Sequence, residues 1–209
     1  MAKPILYGTP RSTYVRTVRL LLEEAGADYD LKDIDIFTGE NQSAEYLALN
    51  PFGKVPTLEV EGETLYETSA ITGYLDTVLA GSKFSPDAPL LQARMRQIMA
   101  IIDTYLYPAA VTTIVIQRLI VPSQGGKTDE DKVKNAIAPA QKAAEAIESL
   151  TVSPYLLGSK LTIADFHLIP IFIYLSLTPE FAAITAQTPK LRTWWDQVSQ
   201  HPTVKKVCA

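Results

Sequence analysis

The stretch Asn50-Pro51-Phe52-Gly53-Lys54-Val55-Pro56-Thr57, with Glu67-Thr68-Ser69-Ala70-Ile71 just beyond it, constrains the fold more than any other part of this 209-residue chain. Pro56 sits at the mouth of an apolar strand, and a proline cannot donate to a β-ladder. A cis Val55–Pro56 bond would turn the chain there and leave the main-chain N–H and C=O of Val55 facing outward. An extended peptide pairs with such groups as an added strand would. Glu67 and Thr68 fall where the next strand gives way to a helix. A helix start offers unpaired N–H donors and the positive end of a dipole, which suit a carboxylate. A glutamate beside it suits an amine. Together these residues read as a site for a small molecule with a peptide bond, an α-amine and an α-carboxylate. The structural alternatives are a plain proline turn at Pro56 and an ordinary helix-start acid at Glu67.

The surrounding pattern supplies a frame. Lys3 to Tyr7 reads as a short buried strand and Gly8-Thr9-Pro10-Arg11 as a turn. Ser12 or Thr13 caps a helix whose apolar residues Val15, Val18, Leu21, Leu22 and Ala25 recur at helical spacing. Tyr29 to Ile36 alternates as a strand, and a polar loop leads to a short helix over 45–49. Thr57 to Val60 and Thr64 to Tyr66 form a hairpin across Glu61-Gly62. A helix from Thr68 to Leu79 closes a β-α-β-α-β-β-α unit with a mixed sheet and helices on both faces. Residues 81–89 form a linker. Beyond it the pattern is all helical: a long helix over 90–119 kinked at Pro108, a second capped by Thr128 and running to Leu150, and a capping box at Thr162 and Asp165. Late helices follow Pro189 and Pro202. The fold class is therefore α/β plus all-α, with domains over 1–80 and 90–209.

Composition limits the function classes. A net charge of −4 and pI of 5.2 argue against nucleic acid or an anionic membrane as partner. Apolar runs such as Leu168 to Leu177 are too short to span a bilayer. Met1-Ala2-Lys3-Pro4 leads straight into strand-like sequence without an apolar leader pattern, which predicts a cytoplasmic protein. One cysteine, Cys208, excludes an intrachain disulfide and a CxxC redox pair. With two histidines, His167 and His201, far apart in sequence, no metal site is expected. His167 reads as a core histidine and Asp103 as a solvated acid.

Residues 50–56, 67–71 and the capping box at 161–165 together resemble the cytosolic glutathione transferases, and the resemblance spans essentially the whole chain. The run Gly8-Thr9-Pro10-Arg11-Ser12-Thr13-Tyr14-Val15-Arg16 is similar to the serine-type, phi-like and theta-like classes. The resemblance implies a thioredoxin-like domain followed by a helical bundle, a homodimer, and glutathione as co-substrate. It implies that Ser12 donates to the glutathione sulfur, with Tyr7 and Arg11 as alternatives. Lys54 and Val55 match positions that hold the glycyl end and the cysteinyl backbone, Pro56 matches the cis-proline, and Glu67 and Thr68 match the pair that grips the γ-glutamyl group. Asn41 and Gln42 stand where His and Lys often meet the glycine carboxylate, which leaves Lys54 as the main charged contact. Pro10, Tyr14, Tyr105, Tyr107, Thr113 and Ile116 are the candidate walls for a hydrophobic electrophile. The implied activity is conjugation of glutathione to such electrophiles. Glutathione-dependent peroxide reduction and a non-catalytic binding module are the alternatives.

Overall fold

The computed structural model describes residues 3–209, which form two compact units. The first contains the chain up to Lys83 together with Pro202–Ala209, and the second runs from Phe84 to His201.

In the first unit four strands, β1 (Ile5–Tyr7), β2 (Asp30–Lys32), β3 (Thr57–Val60) and β4 (Glu63–Tyr66), form one sheet in the order β2-β1-β3-β4. β1 and β2 are parallel, and β3 runs antiparallel to both β1 and β4. Side chains alternate across a strand, so Leu6 and Leu58 share one face and Tyr7 and Thr57 the other. All four are buried. A sheet buried on both faces needs cover on both. Helix α1 (Thr13–Glu24) packs against α3 (Thr68–Leu79), and Tyr46 of α2 (Ala44–Leu49) joins Tyr7 and Ile34 in a cluster on the Tyr7 side.

β2 is shorter than its alternating pattern predicts. Asp35 Oδ1 accepts from the N–H groups of Phe37 (2.8 Å) and Thr38 (3.3 Å), and this local turn displaces the ladder. The Glu61-Gly62 turn has positive φ at both residues, the geometry of a tight hairpin.

The second unit holds α4 (Pro89–Ser123), α5 (Glu130–Leu150), α6 (Ile163–Leu175), α7 (Phe181–Ile184) and α8 (Pro189–Val198). α6 is buried along almost its whole length. α4 does not break at Pro108. It passes through the proline with widened π-helical turns over Ile102–Leu106 and Ala110–Ile120. Proline removes an N–H and crowds the preceding turn, and a wider turn makes room for the ring. Thr112 and Thr113 donate their hydroxyls to the Pro108 carbonyl at 2.7 and 3.0 Å. By length and composition α4 is long and apolar enough to cross a membrane, which corrects the expectation that every apolar run falls short. Half of its most apolar window is buried in the folded protein.

Three local expectations shift. Asp129, not Thr128, caps α5: its carboxylate accepts from Lys132 N–H at 3.1 Å, while Thr128 donates to the Gln117 carbonyl. Phe84, inside the expected linker, is buried in the second unit, edge-on to Phe166, and its carbonyl accepts from Ile163 N–H. The last helix, α9 (Pro202–Cys208), packs on α1 in the first unit.

Candidate functional site

The sheet register gathers the site. Tyr7 pairs with Thr57 and with Lys32, and Thr57 pairs with Tyr66. The residues just past those positions are Gly8, Pro56 and Glu67, so three chain segments distant in sequence leave the sheet at one end. Gly8 brings two of them closer still. At φ +146° it lies where side chains are rarely tolerated, and a Cβ there would stand 3.0 Å from Val55 Cβ and 2.5 Å from Val15 Cγ2.

The Val55–Pro56 bond is cis. Among the described residues neither the N–H nor the C=O of Val55 has a hydrogen-bond partner. The Val55 side chain packs on the Tyr7–Ile34–Tyr46 cluster. The edge therefore rests on a rigid base while its polar groups stay open.

Ser12 is the N-cap of α1. Its Oγ accepts from Val15 N–H at a long 3.5 Å, and among the described residues its own proton goes to no acceptor. It is a half-buried donor at the positive end of a helix. Tyr7 differs. Its hydroxyl donates to Glu59 Oε2 at 2.7 Å and accepts from Lys32 Nζ at 3.1 Å, and the Lys32 ammonium also lies 4.9 Å from the ring centroid. Arg11 is exposed.

Glu67 is exposed and precedes α3 with φ +69°, a conformation unusual for a residue with a side chain. Among the described residues no side chain caps α3, which leaves its first-turn N–H groups beside Thr68 without a capping acceptor. Asn41 and Gln42 meet the Gly53 carbonyl through their amide nitrogens, at 2.7 and 3.2 Å. Both amides brace the loop that carries Lys54, whose side chain is exposed.

Sequence reasoning passed over the buried support beneath this loop. Tyr46 donates to the Lys54 carbonyl at 2.7 Å and lies 2.9 Å from Thr57 Oγ1. Asn50 Nδ2 reaches the same two atoms at 2.9 and 3.3 Å. The available signal was the four-residue spacing of Tyr46, inside α2, from Asn50, which ends that helix as its extended C-cap.

The electrophile candidates fall on both units. In the first, Pro10 and Tyr14 are half-buried. In the second, Tyr105 and Ile116 are exposed, while burial and the nearby Asp103 charge push the Tyr107 phenol pKa up. Thr113 lines an open groove of about 420 Å³ with Pro108, Lys132, Asn135 and Pro139, a groove that Tyr105, Tyr107 and Ile116 do not reach. Asp103 is less solvated than expected: its carboxylate lies 3.6 Å from Nδ1 of the fully buried His167. Among the described residues no group of three or more His, Cys, Asp or Glu could hold a metal ion.

Comparison with known proteins finds matches along nearly the whole chain. Residues 2–77 match the family model "Glutathione S-transferase, N-terminal domain", and 69–202 match "Glutathione S-transferase, C-terminal domain". The chain is 34% identical to glutathione S-transferase 1 of Zea mays, over all of this chain and 97% of that one. Glutathione transferase F7 of Populus trichocarpa superposes with a TM-score of 0.87 at 31% identity, over 98% and 97% of the two chains. Maize glutathione S-transferase I, in complex with an atrazine glutathione conjugate, gives 0.84 at 32%, over 99% and 96%. An unbonded strand edge ahead of a cis-proline, a spare serine donor and an open helix start thus lie in a chain matched along nearly its full length: it belongs to the glutathione S-transferase family, among relatives of the plant phi type.

Proposed function

We infer that the protein is a glutathione transferase that conjugates reduced glutathione to hydrophobic electrophiles through a stabilised thiolate. The observation that carries this reading is the uncommitted proton of Ser12 at the start of α1, on the chain segment that Gly8 brings against Val55. In this reading the cysteinyl backbone of glutathione pairs with Val55. Its γ-glutamyl amine meets Glu67, and its α-carboxylate meets Thr68 and the first turn of α3. Lys54 takes the glycyl carboxylate, and Asn41 and Gln42 hold the loop from which Lys54 extends. The sulfur then lies at Ser12. Tyr7 is disfavoured as the sulfur's donor because its proton already goes to Glu59.

The chemistry follows from the thiol. A free thiol has a pKa of about 8.5 and only its thiolate attacks. Each unit of lowering needs about 1.36 kcal/mol of preference for the anion. A charge-assisted hydrogen bond plus a helix N-terminus supplies roughly 2 to 3 kcal/mol, enough to make the thiolate a major species at neutral pH. The thiolate sulfur forms a bond to the electrophilic carbon and the leaving group departs with the electron pair. Proposed electrophile contacts are Pro10 and Tyr14 within the first unit and Tyr105, Tyr107 and Ile116 within the second; Thr113, which lines the groove beside Pro108 and Pro139, drops out of the set. Exposed Phe52, edge-on to Tyr66, supports a homodimer in which this ring meets a second copy. Use of reduced glutathione as co-substrate suits a cytoplasmic setting, where the glutathione pool is kept reducing.

The test is saturable conjugation of glutathione to an activated chloronitrobenzene. Ser12→Ala is expected to lower kcat/KM by about 10- to 100-fold, the worth of one hydrogen bond to a charged group. A parent protein that binds glutathione and conjugates nothing would overturn the reading.

A further inference from the structure

We propose that Tyr46 is a positioning residue for glutathione, holding the Lys54–Val55 peptide so that the Val55 N–H points at the incoming cysteinyl group. The inference rests on the glutathione reading above and goes beyond it to a buried side chain that touches no substrate.

The Lys54 carbonyl and the Val55 N–H belong to the same peptide bond, which is trans, since the cis bonds are Val55–Pro56 and Ser153–Pro154. In a trans peptide the C=O and N–H point in opposite directions. Whatever fixes the carbonyl inward therefore fixes the N–H outward. Two donors do so here, Tyr46 Oη at 2.7 Å and Asn50 Nδ2 at 2.9 Å. Because the Tyr46 proton goes to Lys54, its oxygen accepts from Thr57 Oγ1 at 2.9 Å. Thr57 in turn accepts from Asn50 at 3.3 Å. Asn50 Oδ1 accepts from Phe52 N–H at 3.1 Å, which ties the loop to the same group.

Tyr46 and Asn50 are each 2% exposed and Thr57 is fully buried, so water does not compete for these bonds. Such a network polarises its members. A carbonyl that accepts two bonds leaves the N–H of its own peptide a stronger donor. Burial raises the Tyr46 phenol pKa, which keeps it a neutral donor. The ring has a second function: it packs in the cluster that also carries the Val55 side chain. One residue thus sets both the seat of Val55 and the direction of its N–H.

Tyr46→Phe separates these functions, because it keeps the ring and removes the hydroxyl. At saturating electrophile we expect KM for glutathione to rise about fivefold, the usual net worth of one hydrogen bond. kcat and KM for the electrophile should stay within about twofold of the parent, since Ser12 and the electrophile contacts are untouched. A merely structural role would lower thermal stability and leave this split unmoved. Thr57→Val, which opens the same cycle from the other side, should raise KM for glutathione in the same direction, with less than additive effect in the double variant. A glutathione KM unchanged in Tyr46→Phe, or a loss confined to kcat, overturns the proposal alone. Calorimetry showing that the parent takes up no glutathione overturns both this proposal and the reading beneath it.

Discussion

Glu67 holds a backbone conformation that a glycine would hold at lower cost. At φ +69° a non-glycine residue carries a penalty of about 1 kcal/mol or more, and no side-chain bond at the helix start offsets it. Its carboxylate stays exposed beside open helix donors, which is the arrangement a ligand amine and carboxylate require. Glu67→Gly is therefore expected to raise stability by about 1 kcal/mol while weakening glutathione binding by roughly tenfold, the worth of one charged hydrogen bond. Thermal denaturation and calorimetry on the same variant check both halves. Destabilisation, or unchanged affinity, would contradict the account. At this scale the sequence was informative where one residue type admits few conformations. Pro56 after Val55 announced the turn, and Glu67-Thr68 the helix start. The commitment of Tyr7 to Glu59 and Lys32 was not legible, because those partners lie 52 and 25 residues away and meet only through the sheet register.

Elements were legible where local chemistry had no competitor. β3 and α3 begin and end where their patterns do, because the Glu61-Gly62 turn and a clean 3.6-residue period leave no second choice. β2 was overread, because Asp35 builds a turn inside an alternating pattern. The π-helical turns of α4 left no trace, since apolar residues at every spacing mask a change of period. The capping box was visible as Thr162 and Asp165, but only half of its role was. Asp165 accepts from Thr162 N–H and Oγ at 2.7 Å each, and also from Leu156 N–H at 3.0 Å and Trp194 Nε1 at 2.8 Å. One fully buried carboxylate thus joins the start of α6 to a loop and to α8. Asp165→Ala leaves those buried donors unpaired and should cost about 3 kcal/mol or more. Urea denaturation measures it, and a loss below about 1 kcal/mol would show that the cap is dispensable.

Over the whole molecule, the chain's last helix returns to the unit in which the chain began. Val204 and Val207 of α9 are each 3% exposed, Lys206 pairs with Glu23 at 2.6 Å, and Thr203 bonds to Glu24, so α9 is fastened to α1. Sequence pattern alone put this segment with the helical domain that precedes it, because a seven-residue helix carries too few apolar positions to say which core it joins. The fastening matters for function, since α1 carries Ser12 at its start. Val204→Ala with Val207→Ala should lower stability by roughly 2 to 3 kcal/mol, in the range for buried methyl loss. Hydrogen exchange should rise in α1 before it rises in α5; the reverse order would detach α9 from the first unit.

Glutathione that pairs edge-on with Val55 brings its sulfur to Ser12. A crystal of this protein soaked with glutathione tests it directly. Main-chain hydrogen bonds between the cysteinyl residue and Val55 are expected, with the sulfur within about 3.5 Å of Ser12 Oγ, the reach of a bond to sulfur. A tripeptide bound with its sulfur turned away from the first turn of α1 would contradict it.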